Sequence, residues 1–313
     1  MNRRKTWFER IFGRELVAFA ALLTLGFVVA AFPPASFGAP PETFSSPEQA
    51  SSALFAAARD GNDNALMRIL GGGKELVTLE DKGADNLERE RFVIKYQEMH
   101  RFVQEDGRTT VLYVGAENWP FPVPLRSRQG SWYFDSDAGA KEVLFRRIGE
   151  NEQDATDACH FLVVAEGEYQ ATLHSDDTNS HYAARFVSAE GKQDGLYYGP
   201  DSPIPAALAN AGIGDAAAPG TAPTPYSGYY FRVLTQQGKQ ADGGVRSYFS
   251  NGELIGGFAF VAYPAKYGKT GVMTFIVNQN DVVYQRDLGP DTGKIAQAMT
   301  KFNPGPKWQP VGE

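Results

Sequence analysis

Near residue 220 the period of the hydrophobic pattern changes. Upstream, apolar residues recur at helical spacing: Leu54, Phe55 and Ala58, then Phe92, Tyr96, Met99 and Val103. Downstream, Val272, Thr274 and Ile276 alternate with Met273, Phe275 and Val277. A 3.6-residue period buries one stripe of a helix, whereas a two-residue period buries one face of a strand. Between the two patterns, Asp215–Pro225 reads DAAAPGTAPTP, which has no period and too much proline and glycine for either element. The chain therefore reads as α+β. Residues 40–214 form a mostly helical N-terminal region with a small sheet, and 215–225 form a linker. Residues 226–313 form an antiparallel β-meander domain closed by a C-terminal helix.

Local signals refine this reading. Ser46, Pro47 and Gln49 open a helix as cap, first residue and partner of a capping box. A second short helix runs from about Asp63 to Leu70 and stops at Gly71–Gly73, and KELVTL from Lys74 reads as a strand. Asp85 and Glu88 pair as a cap before a long helix, and TTVLYVG from Thr109 is a strand. A hairpin turns at Gln129-Gly130, and Pro120, Pro122 and Pro124 before it suit a sheet edge or lie outside the ladder. Two helical stretches follow, near Ala138–Ile148 and Gln153–Gln170. In the C-terminal part Asn251-Gly252 marks a tight hairpin. Asp291 caps a last helix whose packing face is Ile295, Met299 and Phe302. The stretch from Tyr267 to Gly289 concentrates glycine, asparagine and an Arg-Asp pair. Each of those residues falls where a meander needs a bend, so it reads as a hairpin in preference to a ligand loop.

The first 39 residues bear on location. Arg3, Arg4, Lys5, Arg10 and Arg14 precede an apolar run from Leu16 to Phe32, and PPASFGAPPE follows. A basic head, an apolar middle and a small-residue exit read as a cleaved export signal. The alternative is an uncleaved membrane anchor formed by residues 16–32, since the run is just long enough to span a bilayer. Either way the body is expected in the periplasm or outside the cell, touching membrane only through the N-terminal segment.

The chain carries a formal charge of −7. Without the five basic and two acidic residues before Ala39, 25 basic and 35 acidic residues remain, a body near −10. That excess opposes nucleic acid held by phosphate neutralisation and a polybasic grip on anionic lipid. The single cysteine, Cys159, rules out an internal disulfide framework, so the fold must rest on buried apolar surface.

Candidate chemistry is sparse. Cys159 and His160 are adjacent, but neighbours on a helix point about 100° apart. Cys159, Leu162 and Val163 share an apolar face, which makes the thiol a core group. Asp154, Asp157 and His160 are spaced by threes and read as a solvated face with a lesser claim to metal binding. His174 and His181 flank SDDTNS without any metal-binding motif, and His100 reads as packed or surface. Hence no catalytic residue, metal or cofactor is expected. The binding candidates are Trp119, Trp132, Tyr197 and Tyr198 as an aromatic platform for sugar or peptide, and Arg146 with Arg147 as an anion site. Against these stand packing of the aromatics in strands, and ion pairs of the arginines with Glu150 and Glu152.

Several runs occur together: SSPEQA at Ser45–Ala50, RRIGENE at Arg146–Glu152, DGLYY at Asp194–Tyr198, then SGYYFRVLT and GVMTFIVNQNDVVYQRDLG. This combination resembles an exported bacterial family known as domain of unknown function 2950. The resemblance spans nearly all of the chain after the signal and implies export and a shared fold, with no assigned catalytic residue to carry over. More weakly, GYYFRV, GGFAFVAYP and TGVMTFIVNQNDVVY are similar to the head sheet of type IV pilins and pseudopilins. Gly13-Arg14-Glu15-Leu16 departs from the pilin processing pattern, so shared sheet geometry is the simpler implication.

Together these readings give a two-part envelope protein that binds or assembles without catalysis, with an envelope protein or glycan as partner. The alternatives are a periplasmic hydrolase acting on an envelope substrate, and a component associated with a pilus or secretion apparatus.

Overall fold

A computed structural model describes residues 41–71, 82–172, 180–214 and 222–312. The export segment, KELVTL, SDDTNS up to Asn179 and residues 215–221 of the expected linker lie outside them. Helices combine with antiparallel sheets, as the pattern implied. The chain forms two compact units, residues 1–147 and 148–313. The division falls inside a helix, whereas the expected one fell at 215–225.

In the first unit, helix α1 (Pro47–Arg59) starts at Ser46, whose hydroxyl accepts from the Gln49 amide at 3.2 Å. Gln49 Oε1 reaches back one residue further than a capping box requires, accepting from Ser45 N at 2.8 Å. Helix α2 (Asp63–Leu70) is capped by Asn62 and closed by Gly71 in the left-handed conformation. Helix α3 (Lys82–Glu98) begins before Asp85, so Asp85 and Glu88 are interior and not a cap. It also stops earlier than expected. Gly115 N donates to the carbonyls of Lys95 and Met99, and Val103 passes into strand β1 (His100–Gln104).

β1 pairs with β2 (Thr109–Val114), which also pairs with β3 (Trp119–Pro120) and β4 (Leu125–Arg128); β4 turns into β5 (Ser131–Phe134). The β4–β5 turn places Gln129 and Gly130 at φ 52° and 81°, the left-handed pair a two-residue hairpin demands. Leu54, Leu66, Phe92, Leu112, Phe121 and Phe134 lie in the core of this unit.

The two helical stretches expected between Ala138 and Gln170 are one helix, α4 (Ser136–Ala171), of 36 residues. Gly149 does not break it, because a single glycine costs a helix only about 1 kcal/mol. From Ile148 onward α4 belongs to the second unit, where Cys159, Leu162, Ala165 and Tyr169 enter the core.

That unit is built on a five-stranded antiparallel sheet in the order β15-β13-β12-β11-β6. The strands are β6 (Tyr229–Leu234), β11 (Ala259–Pro264), β12 (Met273–Asn278), β13 (Tyr284–Asp287) and β15 (Gln309–Pro310). Both faces of β11 and nearly all of β12 are buried, so their alternation does not separate a wet face from a dry one. The chain from Ala183 to Ala211, including the short α5 (Ala206–Ala209), contributes Phe186, Leu196, Ile204 and Leu208 to the same core. A small sheet joins β7 (Gln236–Gln237) to β8 (Arg246–Ser247) and, in parallel, to β14 (Lys301–Phe302). The Asn251-Gly252 hairpin forms between β9 (Phe249–Ser250) and β10 (Glu253–Leu254). Helix α6 (Thr292–Ala298) is shorter than predicted. Asp291 holds Lys294 and makes no cap bond, Ile295 is 42% exposed, and Thr292 and Ala296 are the buried residues. Phe302 leaves the helix because its segment pairs with β7, where Gly238 N donates to the Phe302 carbonyl at 2.8 Å.

The Tyr267–Gly289 stretch is a loop and hairpin, fastened from α4. Glu152 Oε1 accepts from Val272 N at 2.8 Å and Met273 N at 3.0 Å, and Asn151 Nδ2 donates to the Thr270 carbonyl at 2.8 Å. Tyr229 lies against Gly271, where any Cβ would meet its ring within 2.7 Å, and its hydroxyl donates to the Met273 carbonyl. Glu152 is therefore a clamp for this loop.

Candidate functional site

The residues of the expected aromatic platform fall in both units. Trp119 and Trp132 belong to the first unit, Tyr197 and Tyr198 to the second. Trp119 is buried, with the Arg146 guanidinium 5.0 Å from its ring. Trp132 exchanges both main-chain hydrogen bonds with Phe44 and packs on the core. Tyr197 packs on the second core, and Tyr198 donates from its hydroxyl to the Asp201 carbonyl. Arg146 donates to Glu142 and to the Pro120 carbonyl, while Glu152 spends its carboxylate on the 272–273 amides. Arg147 is half-buried. All six serve structural roles or lie partly covered, because strands and helix faces use aromatic rings and arginine stems as packing surface.

The reactive candidates on α4 are likewise occupied. Cys159 is fully buried, and burial, helped by the Asp281 charge, pushes its thiol far up from its ordinary pKa. A thiol so held is a poor nucleophile. Native protein should resist iodoacetamide and react fully at Cys159 once unfolded, as mass spectrometry can follow. His160 Nδ1 meets Asp281 Oδ1 at 2.7 Å, and Asp157 accepts from Gln153. His100 stacks on Tyr96 at 4.0 Å, and His181 meets the Tyr169 ring edge-on. Among the described residues, no three His, Cys, Asp or Glu side chains gather in a way that could hold a metal ion. Nor is any described helix long and apolar enough to cross a membrane.

Sequence reasoning missed the site that does assemble. Beside β6 the second unit has a cavity of about 390 Å³, within the range typical of small-ligand pockets. Its apolar lining includes Phe186, Val187, Ile213 and Met299, and its polar lining Arg185, Asn210, Arg232, Thr235 and Thr300. Two runs singled out in the sequence build its walls. In DGLYY, Asp194 accepts from Ala189 N at 2.8 Å and faces Arg185 Nε at 3.5 Å, while Leu196 and Tyr197 donate to the carbonyls of Arg185 and Phe186. In SGYYFRVLT, Arg232 Nη1 donates to carbonyls at the end of α6, those of Ala296, Gln297 and Met299. This is favourable because the last carbonyls of a helix lack partners and carry partial negative charge.

The cavity surrounds an open length of sheet edge. Phe231 donates to the Ala211 carbonyl and accepts from Ile213 N, so its main-chain groups point away from β11. Antiparallel pairing alternates, so Val233 two residues on directs its N–H and C=O the same way. Neither group meets a main-chain or side-chain partner among the described residues. The next edge group, the Thr235 carbonyl, accepts from Tyr248 N. The side chains of Asn210, Thr235 and Thr300 also form no hydrogen bond to the described residues. The site thus offers a paired main-chain donor and acceptor, guanidinium charge, free polar side chains and an apolar wall. That combination can hold and orient a ligand.

No curated protein and no solved structure matches this chain. The model of one family, described as a protein of unknown function (DUF2950), matches residues 41–311, and the chain belongs to that family.

Proposed function

We propose that this is an exported, non-catalytic binding protein of the cell envelope whose ligand site is the cavity beside β6. Export is supported by the basic head, apolar run and small-residue exit of the first 39 residues. The binding role rests chiefly on the Val233 edge, whose main-chain donor and acceptor open into a cavity that also holds Arg185. Buried or half-buried main-chain groups without partners are costly, and a ligand that satisfies them recovers that cost. An envelope protein or glycan is the partner class.

Backbone 15N chemical shifts would test this as soluble fragments of purified cell wall and envelope peptides are added. Changes are expected at Ala184–Val187, Asn210–Ile213 and Val233–Thr235, with the fragments recovered intact. Changes confined to other regions would refute the assignment.

A hydrolase is the second reading, favoured by the His160–Asp281 pair, which matches the base and its orienting carboxylate in a hydrolytic site. Cleavage of the added fragments that is lost in His160→Ala would support it over binding.

A further inference from the structure

We infer that the β6 edge receives a short peptide in extended form that ends in a free carboxylate, clasped by Val233 and neutralised by Arg185. This rests on the cavity being the ligand site and names what fills it.

The donors and acceptors left without partners among the described residues decide what can fill the cavity. Val233 presents an N–H and a C=O side by side on the open edge. A single residue of an extended chain carries the matching C=O and N–H at the same spacing. A fully ionised phosphate monoester has acceptors only and leaves the Val233 carbonyl unsatisfied. A purely apolar ligand leaves both groups unsatisfied.

The edge is bounded on both sides. Upstream, Phe231 is spent on the 211–213 segment, and downstream the Thr235 carbonyl is spent on Tyr248. One ligand residue can therefore pair fully, which suits a chain end better than the middle of a long strand. The segment 211–213 already runs parallel to β6 at Phe231, so the sheet has begun to accept a neighbour on this side. The ligand takes the edge beyond that segment in the antiparallel sense, in which one of its residues exchanges both bonds with Val233.

Charge supplies the second half. In a chain body near −10, Arg185 and Arg232 line the same cavity. Arg232 Nη1 is committed to the end of α6, whereas Arg185 is held by one carboxylate at 3.5 Å and is more than a third exposed. A guanidinium is matched in shape and charge by a carboxylate. Phe186, Val187 and Met299 offer apolar contact to a side chain of the peptide. Main-chain pairing at a sheet edge with a pocket for an alternate side chain is an established mode of peptide recognition.

The test uses the full chain and a pooled library of acetylated tripeptides with randomised positions. The library is made in three forms: free acid, C-terminal amide, and free acid with the central nitrogen methylated. Titration is followed through the Val233 amide resonance and by calorimetry. The acid pool should shift that resonance. Amidation, central methylation and Arg185→Gln should each weaken binding about tenfold, the effect of losing roughly one hydrogen bond or ion pair of 1.4 kcal/mol. Equal binding of the amidated or methylated pools would overturn the peptide assignment while leaving the cavity as the ligand site. Failure of every pool to move the Val233, Asn210 and Thr235 signals, while cell-wall fragments do move them, would also overturn it. If neither peptides nor cell-wall fragments move those signals, the cavity reading itself falls.

Discussion

Replacing Glu152 with alanine is expected to lower the folding free energy by about 3 kcal/mol, since hydrogen bonds to a charged group contribute about 1.5–3 kcal/mol each. One carboxylate oxygen accepts both the Val272 and Met273 amides. Removing it leaves two donors at the start of β12 without partners, in a loop also pressed against Tyr229. Glu152→Gln keeps an acceptor oxygen and should lose roughly half as much. Asn151→Ala, which removes one neutral bond to the Thr270 carbonyl, should cost about 1 kcal/mol. Urea unfolding of the three variants under the same conditions measures the order. An alanine variant at position 152 as stable as the parent would show that the loop holds itself.

Glu166→Gln is expected to change how stability depends on pH. Glu166 is fully buried on α4; one of its carboxyl oxygens accepts from Ala183 N at 2.8 Å, and the other has no hydrogen-bond partner among the described residues. Burial raises its pKa well above the ordinary glutamate value, outweighing the Ala183 bond that lowers it. The folded chain therefore binds this proton more tightly than the unfolded chain does. The stabilisation is complete below the unfolded glutamate pKa, near 4.5, and is lost as pH rises through the higher folded value. Each tenfold difference in proton affinity is worth about 1.4 kcal/mol. Glutamine keeps the acceptor for Ala183 and has no proton to lose. Unfolding free energies measured at pH 4 and pH 8 should thus be closest for parent and variant at the lower pH, with the variant the more stable at the higher. Parallel pH profiles would show that Glu166 is ionised in the folded protein.

Much of the architecture could be read from residue pattern. Short-range signals succeeded where the chemistry was local: the Ser46 cap, the Gly71 stop and the left-handed pairs at Gln129-Gly130 and Asn251-Gly252. They failed where a distant segment decided the outcome. Val103 keeps helical spacing from Tyr96 and Met99, yet β2 draws it into a ladder. Phe302 keeps helical spacing from Ile295, yet β7 claims it. Gly149 looks like a break, but the packing of α4 on either side carries the helix through.

The candidate site was less legible for the same reason. Arg185, Asn210 and Val233 stand far apart in sequence, and the informative groups at Val233 are main-chain atoms that every residue has. Only register and the position of the 211–213 segment reveal that they lack partners among the described residues. Trp119 and Trp132 drew attention because large aromatics are conspicuous in sequence; Trp119 lies in the core of the first unit and Trp132 packs against it.

The order of the strands has a consequence for how the chain comes together in time. Residues 301–302 bond to 236–237, and residues 309–310 complete the far side of the main sheet against β13. A polypeptide delivered head first, whether from a ribosome or through a translocation pore, holds the second unit ajar until residues 301–310 emerge. Maturation of that half therefore waits for these residues, and a stall before them should leave Phe302's berth beside Gln237 vacant and the half-built sheet open to holdase chaperones.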